Sequence, residues 1–239
     1  MKDYIDTLVD RFEQKLKNGS NSEIRLEVKA TLFSLQYFPE ETQKDFGKQI
    51  AEMIYKHGLD SYNESDFSKY ITLLDLSADL YYKFPDVETI TLVFLQLTRG
   101  MLEIKAEMRE PDHLDTHQED IENVLKQHPS DAEIMLECMV CYANLQANCT
   151  ITARGKHVSP ERLSLIERNV DNMELISSRF PNDEVINLIY CRSLAATTND
   201  LYNHPNREMY GKLFRLLENL VKTRKFDVPE EVIYFLKEA

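Results

Sequence analysis

Five prolines cut this chain at nearly even intervals. They stand at Phe38-Pro39, Phe84-Pro85, His128-Pro129, Phe180-Pro181 and Val228-Pro229, with spacings of 46, 44, 52 and 48 residues. A proline has no backbone N–H to give a continuing helix and drives the residue before it out of helical geometry, so each marks a place where a helix must stop. A period held across 239 residues signals one supersecondary unit used several times.

The text around the prolines repeats as well. Before each of the first four comes an amphipathic run that ends in an aromatic residue or His, as in Leu32 to Phe38, Leu73 to Phe84, Ile121 to His128 and Met173 to Phe180. After each come acidic residues, among them Asp86, Glu88, Asp131, Glu133, Asp183, Glu184, Glu230 and Glu231, which suit the positive N-terminal end of a new helix. A turn of one to three residues folds the two helices back on each other, so the unit is a helical hairpin.

Apolar spacing at three and four predicts helices at 3–17, 22–37, 40–57, 67–83, 87–109, 116–127, 131–149, 160–179, 183–202, 206–224 and 229–238. Ser65-Asp66 and Ser159-Pro160-Glu161 read as N-caps, and Gly19 and Gly58 as C-caps. The longer connections are 110–116 and 150–158, and the second accounts for the stretched spacing of 52. With only 6 Gly and 8 Pro and no Pro-rich or Ser-rich linker, residues 1–239 read as one continuous domain, with 1–19 as an N-terminal capping helix and 229–238 as a C-terminal helix.

The run from Asp183 carries Val185, Ile186, Leu188, Ile189, Cys191, Leu194 and Ala195, which is apolar around more than half the helix. Such a helix must be covered on both flanks, as stacking of successive hairpins provides. Pro181-Asn-Asp-Glu and Pro129-Ser-Asp-Ala-Glu resemble the helix B to helix A junction of the tetratricopeptide repeat, and the resemblance covers roughly residues 20–238. It implies an all-α, right-handed α-α superhelix (solenoid) of antiparallel helix hairpins, about eleven helices in all. The chain has no Trp, and its period exceeds the ~34 residues of that family, so HEAT-type repeats of ~40 to 47 residues stay open on length.

A net charge of -13 disfavours phosphate backbones and anionic lipid, so nucleic acid and membrane are not the expected partners. Residues 1–10 lack the apolar core of a secretory signal, and no stretch reaches the ~18 apolar residues of a membrane span. Four cysteines inside helical patterns fit a reducing compartment, and the expected location is cytoplasmic.

The motifs that carry chemistry read as ordinary structure. Cys138-Met-Val-Cys141 has the spacing of redox thiols and zinc knuckles, but it lies mid-helix with no second pair and reads as core cysteine. His113 and His117 have the i, i+4 spacing of helical metal ligands without a third ligand nearby, so no metal is expected. Glu110-Pro-Asp-His113 copies the Glu-x-x-His of di-iron bundles, but Pro111 interrupts the helix and the motif occurs once. No nucleophile elbow, phosphate loop or dinucleotide fingerprint is present. No cofactor and no enzymatic activity are expected.

What remains is a surface. If the helix after each proline lines a groove, as the resemblance implies, Gln96, Arg99, Asn144 and Arg192 fall on the inner face, where two guanidinium groups and two amides suit a peptide carboxylate or acidic side chain. The expected function is a non-enzymatic scaffold or adaptor that holds a protein or peptide segment in a concave groove. The alternatives are an all-α enzyme or effector whose acids come from separate helices without a linear motif, and a structural subunit that forms a homodimer through an apolar outer face such as the helix ending at Ala239.

Overall fold

The computed structural model describes residues 2–109, 112–151, 158–202 and 204–238. Among them the chain is all-helical: α1 (Lys2–Asn18), α2 (Asn21–Leu35), α3 (Glu40–Asn63), α4 (Phe67–Lys83), α5 (Glu88–Met108), α6 (Leu114–Gln127), α7 (Ala132–Ile151), α8 (Pro160–Arg179), α9 (Glu184–Asp200), α10 (Arg207–Thr223) and α11 (Glu230–Glu238). The expected helices all form, and α4 and α8 have the expected ends. The connections expected at 110–116 and 150–158 fall partly outside the described residues, at 110–111 and 152–157.

One expected boundary misses by more than two residues. Gly58 does not end α3, which runs on to Asn63. Gly58 is buried mid-helix, and a Cβ there would come within 2.6 Å of Leu97 Cδ2, so the glycine allows α5 to pack closely on α3. The helix stops instead at Ser65, which takes the left-handed conformation usually left to glycine (φ 59°). Ser65 N–H donates to Tyr62 O (3.1 Å) and Asp66 N–H to Ser61 O (2.8 Å), the two bonds of a Schellman end. Gly19 does follow the end of α1: its N–H donates to Lys15 O at 2.8 Å, and a Cβ would sit 2.6 Å from that same oxygen.

Three of the proline junctions share one backbone. The residues before Pro85, Pro129 and Pro181 have φ/ψ of -131/61° at Phe84, -120/54° at His128 and -119/60° at Phe180. Each donates its N–H to the carbonyl four residues back, in Leu80, Val124 and Ile176, and each accepts from the N–H three residues on, in Val87, Asp131 and Asp183. Asp131 and Asp183 then cap the next helix through Oδ1, from Ile134 N–H (3.0 Å) and Ile186 N–H (2.9 Å). At Pro39 the proline itself is the N-cap of α3.

A second device locks three turns from the helix side. The fourth residue after the N-cap reaches back to the turn carbonyls: Gln43 Nε2 to Phe38 O (2.8 Å), Thr91 Oγ1 to Val87 O (3.3 Å), and Asn187 Nδ2 to Phe180 O (3.3 Å), Pro181 O (3.2 Å) and Asp183 O (2.7 Å). The hairpin angle is thereby held by hydrogen bonds as well as by apolar contact.

The chain divides into two compact units, Met1–Met101 and Leu102–Ala239. In the first, α1 packs on α2 and α3, α2 on α4, and α3 on α4, around Phe12, Leu16, Ile24, Val28, Phe46, Ile50, Leu73 and Leu80. The first part of α5 joins them: Phe94 stacks on Tyr81 at 5.0 Å and the Tyr70 hydroxyl donates to Leu97 O at 2.8 Å. In the second unit α7 lies on α9, α9 on α10 and α11, and α6 on α8, so α9 is covered on more than one flank, as its apolar girth requires.

Polar bonds between helices report the repeat directly. Asn21 to Ser68, Arg25 to Asp75 and Lys83 to Leu32 O join α2 to α4 across 47, 50 and 51 residues. Arg168 to Glu122 joins α8 to α6 across 46, and Lys212 to Glu167 joins α10 to α8 across 45. These separations match the proline period, so each bond ties a helix to its counterpart one unit away.

Candidate functional site

The second unit carries a cavity of about 420 Å³ between α9 and α11. Asp183 starts α9 by accepting from Ile186 N–H, and that register turns Arg192, Ala195, Ala196 and Asn199 to one side of the helix. The two alanines keep the floor low. Glu231, Val232 and Phe235 of α11 form the opposite wall, with Val232 buried and the Phe235 ring set 6.1 Å from Phe214 of α10. The result is an apolar slot with an exposed guanidinium, an amide and a carboxylate at its rim. Beneath it the Cys191 thiol is pushed up to about 11 by burial, with Arg192 pulling the other way.

Two further clefts differ in chemistry. Between α6 and α8, a cleft of about 230 Å³ is lined by Leu125 and Leu175 together with Glu122, Lys126, Arg168 and Arg179. Its Glu122 already accepts from Arg168 (3.0 Å) and Asn172 (3.1 Å). Between α8 and α10, a cleft of about 340 Å³ holds Lys212, which bonds to both Glu167 (2.8 Å) and Asp171 (3.2 Å). Charges in these two places serve the packing of neighbouring helices.

Of the four residues expected on an inner face, Arg192 lines the α9–α11 cavity and is exposed. Asn144, on α7, is half-buried and donates to Glu103 Oε1 at 3.3 Å. Gln96 and Arg99 lie half-buried on α5, in the first unit. Glu231, Val232 and Phe235 escaped sequence reading because a wall borrowed from a later helix leaves no linear motif.

Cys138, Cys141, Cys149 and Cys191 are all buried free thiols. Burial pushes the Cys138 thiol up and the Cys149 thiol up to about 12, which disfavours the thiolate form. His113 is the residue before α6, at φ 57° and without a side-chain cap. Burial takes His117 from 6.5 down to about 4. Glu110 and Pro111, from the Glu-x-x-His text, lie outside the described residues.

The sequence also gave no hint of an amide chain through the core of the second unit. Gln118 Nε2 (α6) donates to Asn169 Oδ1 (α8) at 2.6 Å, and Asn169 Nδ2 donates to Gln146 Oε1 (α7) at 3.2 Å. All three residues are buried. The bond from Gln118 Nε2 to Leu165 O (3.2 Å) fixes the direction of the chain. The chain links three helices, while Gln118 Oε1 and Gln146 Nε2 at its two ends are buried without a hydrogen-bond partner among the described residues.

Among the described residues, no helix is long and apolar enough to cross a membrane. Comparisons with protein-family models, with curated proteins and with solved structures find no match.

Proposed function

We propose that this chain is a non-enzymatic, tetratricopeptide-like scaffold that binds a protein or peptide segment, with the α9–α11 slot as an anchor point. The observation that carries the reading is the slot itself: an apolar floor of Ala195 and Ala196 between Val232 and Phe235, with Arg192 and Asn199 at the rim. An apolar side chain fits such a floor while a carboxylate beside it meets the guanidinium. Supporting it is the bonding of helices to their counterparts about one unit away, the pattern from which a right-handed superhelix is built. Asn144, in the same unit, belongs to the proposal as a further polar contact on the helix that follows Pro129.

Selection from a random-peptide display library tests the proposal. The wild-type chain should enrich peptides with an aliphatic residue next to an acidic one. Arg192→Ala should remove the acidic preference, and Ala196→Leu, which fills the floor, should remove enrichment altogether. Equal enrichment by all three proteins would sink the assignment.

A further inference from the structure

The helices that precede the prolines turn one face outward, and that face changes character along the chain. Fourteen, ten, seven and three residues before Pro129, α6 presents Asp115, Glu119, Glu122 and Lys126; at the same places before Pro181, α8 presents Glu167, Asp171, Glu174 and Ser178. Before Pro85, α4 presents Ile71, Asp75, Ala78 and Tyr82. Its neighbour α2, with Ile24, Val28, Thr31 and Leu35 in the core, turns Leu26, Ala30 and Phe33 outward on the opposite side, and Tyr37 follows with its ring 6.2 Å from Phe33. The charged faces of α6 and α8 are an internal control. Polar residues, exposed or bonded to a neighbouring helix, satisfy this architecture at those positions, and the places of Leu26, Phe33 and Tyr37 before Pro39 hold Thr116, Asn123 and Gln127 before Pro129, so the exposed apolar residues on α2 and α4 answer to something else.

The exposed fractions are 70% for Leu26, 64% for Phe33, 76% for Tyr37, 46% for Ile71 and 57% for Tyr82. Side chains of this size leave on the order of 600 Å² of apolar surface, more than the few hundred Å² common on monomers and near the ~800 Å² per partner of a stable interface. The two apolar strips share one face, with the Arg25–Asp75 pair between them, because Asn21 to Ser68, Arg25 to Asp75 and Lys83 to Leu32 O tie α2 and α4 side by side and parallel.

We propose that this face joins two copies of the chain, with α2 of one lying parallel on α4 of the other. Charge selects the occupant. Two chains of net charge -13 repel across most of their surfaces, but here Arg25, Lys29 and Lys83 balance Asp75 and Asp79, so two copies meet without stacked like charge. A two-fold axis that lies in the face and runs along the helices brings α2 over α4 twice and sets Lys29 of each copy, exposed near the middle of α2, against the exposed Asp79 of the other.

Sedimentation equilibrium on the whole chain tests this. The expected mass is twice 28.0 kDa, with dissociation on dilution. Phe33→Asp and Tyr82→Asp should each weaken the dimer at least ~100-fold. Lys29→Asp alone and Asp79→Lys alone should each weaken it about tenfold, and mixing those two variants should restore it, since every cross-copy pair is then opposite in sign. A monomer at ~100 µM overturns the proposal, and so does a dimer indifferent to Phe33→Asp and Tyr82→Asp. A monomer that instead sediments with phosphatidylcholine–phosphatidylserine vesicles overturns it in favour of a lipid surface. The slot of the second unit takes no part, so these outcomes are independent of those for peptide binding.

Discussion

The side-chain amide of Asn187 lies 3.2 Å from the carbonyl oxygen of Pro181 and donates to it across the turn that joins α8 to α9. The same nitrogen serves Phe180 O and Asp183 O, and the amide oxygen accepts from Ser177 Oγ at 2.7 Å. Asn187 is fully buried. Replacing it with Ala strands Ser177 and leaves the turn carbonyls without this donor, at a cost of roughly 2 to 3 kcal/mol. Urea denaturation should show a lower midpoint for Asn187→Ala than for Met135→Ala scaled by buried volume, Met135 being the residue at the same place after Asp131. A shift below about 0.5 kcal/mol would remove the turn-locking role.

Gly100 offers a sharper test of packing. A Cβ added there would land on the Tyr70 hydroxyl, which is held by its bond to Leu97 O. Gly100→Ala should therefore destabilise the first unit by about 2 kcal/mol, despite the ~1 kcal/mol gain in helix propensity. Tyr70→Phe removes the colliding oxygen. The double variant should be more stable than Gly100→Ala alone, and a double-mutant cycle on thermal denaturation measures the coupling.

Acid should weaken the second unit through His117. Burial is the largest cause that takes this imidazole from 6.5 to about 4, with Lys105 and His113 acting in the same direction and Asp115 against it. Between those values the unfolded chain binds a proton that the folded chain refuses, so stability falls as pH drops from 6.5 towards 4. The slope is at most about 1.4 kcal/mol per pH unit. Denaturation midpoints at pH 7 and pH 5 should differ for the wild type and differ less for His117→Gln; equal differences would locate the acid sensitivity elsewhere.

Helix number and position could be read from the text because proline and acidic residues act locally, and local rules need no partner. The end of α3 could not, since Ser65 holds a left-handed conformation that glycine normally advertises, while the glycine that is present, Gly58, answers to Leu97 on another helix. The candidate site follows the same division. Arg192 was placed by counting from Pro181, whereas Phe235 became its neighbour only through the packing of α11 on α9. The Gln118–Asn169–Gln146 chain joins three helices and has no linear trace.

The shared turn before Pro85, Pro129 and Pro181 bears on how freely this chain can vary. Its shape is set by proline and by main-chain bonds, and the preceding residue is Phe, His and Phe in turn without a change of backbone. Spelling is thus loosely bound to shape: the joints can be rewritten residue by residue while the folding pattern stays fixed, and likeness between repeats fades from the letters before it fades from the coordinates.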